Sequence, residues 1–467
     1  MPPHEMPTSN AAEKNKRQIR WSVALLLPNR VIDLLVTVNP KKSGVSAFLS
    51  IPGQGIKNLP LANVSYGPAR LGFTLEKPLT PAANEVYTVA HKGDIGRGSM
   101  TMGARSFRVR ARRLLQGEAM GSALRRPQTP NTPYPYDTAE VKYTNEKDGV
   151  VRSGTLSIPK GKGPFPCVII ESGSGAVDRD GTHMRHKAYL VLGDYLTRQG
   201  IATLRTDDRG IGGSTGVERD STYGDLAGDI LAMVKGLTKH RKIDRAAIGV
   251  MGHSQGGSIA PMAAIASTDI AFVILLAAMT IPGDQVMYTQ KKMILQAAGL
   301  TGHALDLRMA AQRKMLDAVL RDAPSKEMQA VVSAQLEVDL GAQASFIPAA
   351  QRAQILKGAI AQVSAKSMVS LIKNNPAQYL EKLTVPVLAI FGEKDLQVEP
   401  KANEKALRRH LKTAGNTAYE SWIVPSMSHN FQTTKTGKVE ELVTIDQTVR
   451  PDVMVKIAGW IKGIITK

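Results

Sequence analysis

Residues 246–267 read AAIGVMGHSQGGSIAPMAAIAS, and this stretch decides the fold of the chain. Its first part, residues 248–251, is a short apolar run that predicts a buried strand. Its second part is rich in alanine, which favours a helix. Between them lies the pattern G-x-S-x-G around Ser254, which acquires its meaning from a preceding strand and a following helix. This context predicts a nucleophile elbow, a sharp turn that carries a reactive serine clear of the sheet.

The geometry of a nucleophile elbow explains the residue types found around Ser254. The turn holds its serine in a strained backbone conformation. Glycines two residues before and two residues after the serine let the strand and the helix approach closely. The backbone N–H of Gln255 opens the following helix, so we expect it to donate a hydrogen bond to a developing oxyanion.

Length and composition describe an ordinary globular protein. At 467 residues the chain predicts two or three domains and a large core. Hydrophobic residues make up 43% of the chain and charged residues 21%, which is typical of the class. The single cysteine, Cys167, rules out an intrachain disulfide, and its apolar neighbours predict an inert core residue.

The formal net charge of +20 raises the question of an anionic partner. The basic residues are scattered, aromatic residues are few and no nucleic-acid module is recognisable, so we expect no nucleic-acid partner. No stretch reaches the ~18 apolar residues that a membrane span needs. The polar start lacks the apolar segment of an export signal. We expect a cytoplasmic protein, or an exported one if the chain begins after a removed signal peptide.

The N-terminal part, residues 18–112, is predicted to be all-β. Many short β-favouring runs follow one another, and proline and glycine punctuate the gaps, which favours a small barrel or sandwich. We expect an accessory domain that packs on the rest of the chain; the alternatives are that it borders a substrate cleft or forms a homodimer contact. Residues 113–137 follow as a linker, whose sequence RPQTPNTPYPY at 126–136 is extended and semi-rigid.

Residues 138–280 and 381–467 alternate strands with helices. This alternation predicts an α/β domain with a mostly parallel sheet flanked by helices. Residues 281–380 interrupt it with an almost wholly helical insertion, which predicts a cap over the functional site. The insertion is rich in methionine, which suits an adaptable apolar pocket or, equally, the packing of the cap's own core.

The loop at residues 172–175, SGSG, follows a predicted buried strand. It lacks the lysine of a phosphate-binding loop and the spacing of a dinucleotide fingerprint. It fits the loop that supplies a second oxyanion donor, from the backbone N–H of Gly173 or Ser174. The later run Asp207-Asp208-Arg209 is predicted to form ion pairs that brace the sheet edge.

Three side chains together predict nucleophilic chemistry. A serine hydroxyl needs an adjacent base, and a histidine base needs a carboxylate that fixes its tautomer. Ser254, Asp395 and His429 occur in the order serine, acid, histidine, and each follows a predicted strand directly. Glu393 is a rival acid with less reach. Four other histidines fit the base less well, because they precede the elbow, lie within it or sit mid-helix: His183, His186, His253 and His410. No metal-ligand spacing is present, so we expect neither a metal nor a cofactor.

The segments SGSGAVDRDG, RTDDRGIGGSTG, GHSQGG, FGEKD and SMSHNF together resemble the α/β-hydrolase superfamily. Within it the chain is most similar to bacterial carboxylesterases of the EstD-like type, which carry a β-rich domain before the hydrolase domain. The resemblance covers residues 20–465 and includes the proline-rich linker. It implies that Ser254 is the nucleophile, Asp395 the triad acid and His429 the base, acting on a small-molecule ester. Members of that group usually carry an export signal, which this sequence does not show.

The resulting hypothesis is a serine carboxylesterase for esters of short to medium acyl chains, working through an acyl-enzyme. The same triad serves aminopeptidases, acyltransferases and thioesterases, so these functions stay open. An aminopeptidase needs an acid for the substrate amine, and the insertion offers Asp284, Asp306, Asp317, Glu337 and Asp339. A catalytically silent binding protein is a third alternative, against which the complete triad argues.

Overall fold

A computed structural model describes residues 18–466, apart from 28–29, 42–43, 77–84, 104, 117, 119–122, 125 and 342–346. The chain divides into two compact units, Met1–Arg126 and Pro127–Lys467. The predicted linker at 113–137 thus spans the division. The last strand of the first unit runs to Leu114, and the first strand of the second begins at Asp137.

The first unit is a closed barrel of eight antiparallel strands in sequence order, and β8 closes it by pairing with β1. Alternate residues of β1, among them Trp21 and Val23, point into a buried core, as the period-two geometry of a strand requires. The prediction of an all-β region is confirmed, and the barrel is the form it takes. The strands are Ile19–Leu27 (β1), Arg30–Lys41 (β2), Gly44–Ile51 (β3), Ile56–Gly67 (β4), Arg70–Leu75 (β5), Glu85–Lys92 (β6), Ile95–Met102 (β7) and Arg105–Leu114 (β8).

Strand β7 is one that the sequence pattern does not predict. Gly96 and Gly98 lower its strand propensity. The barrel needs a glycine here because a Cβ on Gly98 would lie 1.8 Å from the carbonyl oxygen of Thr88 on the neighbouring strand. The close approach of the two backbones therefore requires glycine in β7, although glycine has a low strand propensity.

The second unit is built on an eight-stranded sheet. Its strands are Asp137–Thr144 (β9), Val151–Ile158 (β10), Phe165–Glu171 (β11), Ala202–Thr206 (β14), Ile243–His253 (β15), Phe272–Leu276 (β16), Val387–Gly392 (β17) and Tyr419–Val424 (β18). They lie in the order β18-β17-β16-β15-β11-β14-β10-β9. The six strands from β18 to β14 are parallel, and the hairpin of β9 and β10 adds an antiparallel edge. A small separate hairpin pairs Thr182–His183 (β12) with His186–Lys187 (β13).

Helices cover both faces of this sheet, so its central strands are apolar on both sides. Val250 and Met251 are neighbours on β15 that face opposite layers, and both are fully buried. This is why residues 248–251 form a continuous apolar run. The predicted α/β class, with a mostly parallel sheet flanked by helices, is confirmed. The flanking helices are Ala188–Arg198 (α1), Tyr223–Leu237 (α2), Gly256–Ala266 (α3), Pro400–Thr413 (α10), Val439–Leu442 (α11) and Pro451–Ile465 (α12).

Between β16 and β17 the chain forms a helical insertion. Its helices are Gly283–Ala297 (α4), Gly302–Leu320 (α5), Ser325–Leu340 (α6), Ala349–Val363 (α7), Lys366–Ile372 (α8) and Ala377–Leu380 (α9). Within the described part of the chain, no single helix has both the length and the apolarity of a membrane span. The bent pair α7 and α8 meets those criteria only when its two members are taken together.

Candidate active site

The turn around Ser254 is very short. Strand β15 ends at His253 and helix α3 begins at Gly256. Ser254 has a φ of 54°, a left-handed conformation that costs energy for a residue with a side chain. A Cβ on Gly252 would lie 2.0 Å from the carbonyl oxygen of Gly256, and one on Gly256 would lie 2.4 Å from that of Ser172. Strand, turn and helix therefore meet as closely as the sequence pattern predicts.

His429 and Asp395 are joined directly by a hydrogen bond of 2.7 Å between Nδ1 and Oδ2. The other carboxylate oxygen of Asp395 accepts the backbone N–H groups of Gln397 and Val398, at 2.7 and 2.8 Å. Both side chains are buried. Since an ionised carboxylate only accepts hydrogen bonds, the neutral imidazole carries its proton on Nδ1, and Nε2 is left as an acceptor. The ring is thus in the tautomer that a general base requires.

Ser254 and His429 line the same cavity, which has a volume of about 610 Å³. Its other walls include the loop at residues 173–178, the small hairpin of β12 and β13, and residues 430–432. Among the described residues, no hydrogen bond joins the Ser254 hydroxyl to His429. Such bonds are often long without substrate and tighten when it binds. The structure therefore brings all three predicted triad residues to one sheet edge. His429 and Asp395 are hydrogen-bonded to each other, whereas Ser254 and His429 are not.

The candidate oxyanion donors lie beside the serine. A Cβ on Gly173 would lie 3.3 Å from the Cβ of Ser254, so the glycine loop directly adjoins the elbow. The N–H of Gly173 donates to the hydroxyl of Tyr189 at 3.2 Å. The N–H groups of Gln255 and Ser174 have no acceptor in the described part of the chain. Of the two candidates in the loop, Ser174 therefore has the available donor.

Tyr189 and His253 are site residues that sequence reasoning missed. His253 belongs to the elbow, and the sequence identifies it only as a histidine that fits the role of base less well than His429. Its ring lies between the hydroxyl of Tyr189, 3.0 Å from Nδ1, and the carbonyl oxygen of His429, 3.2 Å from Nε2. Burial, with a smaller effect of His429, lowers the pKa of His253 to about 3. No local signal in the sequence links residues so far apart in the chain.

A buried charge network supports the loop at residues 172–177. Asp208 accepts the Ser172 hydroxyl at 2.7 and 2.8 Å and the backbone N–H of Val177 at 2.9 Å. The guanidinium of Arg152 lies 3.2 Å from Asp208. Arg209, in turn, contacts Asp229 at 2.6 Å. The run Asp207-Asp208-Arg209 thus forms the bracing ion pairs that its sequence predicts.

Glu171, the last residue of β11, is the weakly compensated member of this network. One of its carboxylate oxygens lies 3.6 Å from Arg152 and has no hydrogen-bond partner among the described residues. Burial raises the pKa of the Glu171 carboxyl above its ordinary value. The attraction of Arg152 opposes this shift but does not cancel it, because Asp208 and Asp229 share the same guanidinium.

The helical insertion contributes no described residue to the walls of the Ser254 cavity. Met287, Met315 and Met368 line a different cavity, of about 220 Å³, within the insertion. Asp284 pairs with Arg313, and Asp339 pairs with Lys291. In the described residues, no group of three or more His, Cys, Asp or Glu could hold a metal ion.

Comparison with known proteins agrees with this architecture. Residues 179–432, more than half of the chain, match the family described as serine aminopeptidase, S33. The chain belongs to this family of α/β-hydrolases. It is also 28% identical over 273 residues to the esterase EstD of Thermotoga maritima. That match covers 57% of this chain and 56% of the relative, so it spans little more than half of either protein.

Two solved structures illustrate the more distant likenesses. The Pyrococcus furiosus esterase Pf2001 has a TM-score of 0.44 and 17% identity, and the match covers 73% of this chain and 97% of that one. Est1E from Butyrivibrio proteoclasticus, solved with ferulic acid, has a TM-score of 0.38 and 18% identity, with coverage of 70% and 98%.

The substitution Gly252→Ala tests the close approach at the elbow. The added Cβ would collide with rigid backbone at Gly256, so we expect the free energy of unfolding to fall by about 2–3 kcal/mol. The matched control is Gly459→Ala in helix α12, where an added Cβ meets nothing within 4 Å. That variant should gain up to about 1 kcal/mol. Urea denaturation measures both, and equal stability of the two variants would contradict the packing argument.

The substitution Glu171→Gln tests the raised pKa. A carboxyl that binds its proton more tightly when folded stabilises the protein below its unfolded pKa, and this contribution is lost as pH rises through the folded pKa. We therefore expect the stability of the wild type to fall from about pH 5 to about pH 8 more steeply than that of the variant. Thermal unfolding across this range measures the difference. Parallel pH profiles for the two proteins would show that Glu171 is ionised throughout.

Proposed function

We propose that this chain is a serine carboxylesterase, which hydrolyses esters of short to medium acyl chains through Ser254, His429 and Asp395. One observation carries the proposal. The His429 ring, held in the base tautomer by Asp395 at 2.7 Å, lines the same cavity as a serine in a strained turn. The family and the similarity to an esterase support the same class of reaction.

The reaction proceeds in two halves. The Ser254 hydroxyl attacks the ester carbonyl while Nε2 of His429 takes its proton, and Asp395 stabilises the imidazolium that forms. The N–H groups of Gln255 and Ser174 stabilise the oxyanion. The intermediate collapses to an acyl-enzyme as the alcohol leaves with the proton from His429. Water then attacks the acyl group, His429 again acts as base, and the acid is released.

The helical insertion is proposed as a cap. It leaves the sheet after β16, next to the strand that carries Ser254. Its separate apolar cavity, lined by three methionines, fits the alternative in which those side chains pack within the insertion itself.

Aminopeptidase activity is the second candidate, and one residue favours it. Asp178 is the sole carboxylate among the described residues that line the Ser254 cavity, where it could face a substrate ammonium. Its Oδ1, however, accepts the backbone N–H groups of Asp180 and Thr182, at 3.1 and 2.9 Å, as in a structural turn. The acids of the insertion do not line this cavity. Ester hydrolysis is therefore the better-supported function.

The substitution Ser254→Ala removes the proposed nucleophile. We expect kcat for p-nitrophenyl butyrate to fall at least about a thousandfold, since loss of a triad serine removes covalent catalysis. Ser267→Ala, just after the far end of the same helix, is the matched control and should keep wild-type kcat. Retained turnover in Ser254→Ala, with a folded variant by circular dichroism, would overturn the proposal.

A substrate panel separates the two candidate functions. We expect nitrophenyl esters of short to medium acyl chains to be turned over much faster than aminoacyl anilides. The measurement is kcat/KM for both series in the wild type and in Asp178→Asn. Anilide turnover that exceeds ester turnover and is lost in Asp178→Asn would establish the aminopeptidase function instead.

A further inference from the structure

A continuous chain of hydrogen bonds runs behind the proposed catalytic residues. The backbone N–H of Gly173 meets the hydroxyl of Tyr189 at 3.2 Å. That hydroxyl meets Nδ1 of His253 at 3.0 Å, and Nε2 of His253 meets the backbone carbonyl of His429 at 3.2 Å. The chain thus passes through four residues and ends on the backbone of the proposed base.

The chemistry of these groups fixes the direction of every bond. A backbone carbonyl only accepts hydrogen bonds, so the Nε2–H of His253 donates to the carbonyl oxygen of His429. In a neutral imidazole Nδ1 is then an acceptor, so it accepts a hydrogen bond from the Tyr189 hydroxyl. The phenol oxygen is left with its lone pairs, and one of these accepts the N–H of Gly173. Each donor in this hydrogen-bond chain has one acceptor, and no two donors face each other.

Burial makes this arrangement stable against protonation. Tyr189 is 6% exposed, and the ring of His253 packs against the rings of His429 and Phe431, with centroids 4.9 and 5.1 Å apart. The lowered pKa of His253, about 3, keeps its ring neutral around neutral pH. A second positive charge beside the imidazolium of His429 is thereby avoided.

The hydrogen-bond chain connects three segments that come from different parts of the sequence. Gly173 lies in the loop after β11, His253 ends β15, and His429 lies in the loop after β18. Tyr189 belongs to helix α1. This helix packs on one face of the sheet, against buried apolar residues of β11, β15 and β18. The donor loop, the elbow and the base are therefore held to one common anchor.

We propose that Tyr189 and His253 are positioning residues. They set the positions of the loop at residues 172–175 and of His429 relative to Ser254. This inference rests on the esterase function proposed above. Tyr189 fixes the orientation of the Gly173 peptide, and this orientation leaves the next N–H, that of Ser174, available for the oxyanion. His253 holds the backbone of His429, while Asp395 holds its ring. Neither residue exchanges a proton with the substrate.

The substitution Tyr189→Phe tests the proposal, because it removes one hydroxyl and keeps the ring. We expect kcat for p-nitrophenyl butyrate to fall about tenfold to a hundredfold, with KM within about twofold, since small misplacements of reacting groups cost rate. Tyr136→Phe is the matched control. Its hydroxyl donates to Asp194 of helix α1 at 2.9 Å and so lies outside the hydrogen-bond chain, and Tyr136, like Tyr189, is 6% exposed. Tyr136→Phe should shift the thermal midpoint by about as much as Tyr189→Phe does, but it should leave kcat unchanged.

A pair of variants at His253 provides the second test. The amide of His253→Gln can still donate to the His429 carbonyl, whereas His253→Phe keeps only the aromatic packing. We expect Gln to recover at least about fivefold in kcat over Phe, measured below the thermal midpoints of both variants. Wild-type kcat in Tyr189→Phe, or equal kcat in the two His253 variants, would overturn the positioning role. Absence of ester turnover in the wild type would instead overturn the proposed function.

Discussion

The contact between strand β15 and helix α3 at Gly252 and Gly256 is the constraint on which the site depends. A side chain on Gly252 would meet the backbone of Gly256, and a side chain on Gly256 would meet the backbone of Ser172 after strand β11. The chain must therefore reverse within two residues, and the reversal places Ser254 in a left-handed conformation at φ 54°. The parallel sheet supplies the rest of the geometry. The carboxyl ends of β11, β17 and β18 lie at the same edge, so the loops that follow them meet the serine.

A network of buried charges lies close to this edge. Arg152 is 1% exposed and faces three carboxylates, and the hydroxyl of Ser172 is bound by one of them, Asp208. Buried charges cost free energy unless they are paired and hydrogen-bonded, so this network is under strong geometric restraint. Its contacts with Ser172 and Val177 fix both ends of the segment at residues 172–177, which includes the glycine-rich loop. The charge network and the hydrogen-bond chain through Tyr189 thus both contact this loop.

Much of this architecture follows from local sequence patterns. Apolar runs predict the central strands, and the serine, aspartate and histidine can be found because each directly follows such a strand. The fold class is confirmed, whereas the catalytic roles of Ser254, Asp395 and His429 stay predictions. Strand β7 escapes the pattern because glycines serve a close backbone approach there.

Contacts between distant residues lie beyond what the sequence can show. Tyr189 and His253 are ordinary in their local context, and only the packing of helix α1 on the sheet brings them together. The helical insertion is similar in this respect. Its methionines were compatible with two roles, and only the folded chain places three of them around a cavity apart from Ser254.

Peptide mapping after reaction with a fluorophosphonate tests the central claim most directly, because the reagent marks the nucleophile that an adjacent base activates. We predict one adduct per chain, on the peptide that contains Ser254, and a much slower reaction once His429 is replaced by alanine. An adduct on a different serine, or continued ester hydrolysis by fully labelled protein, would contradict the assignment of Ser254 as the nucleophile.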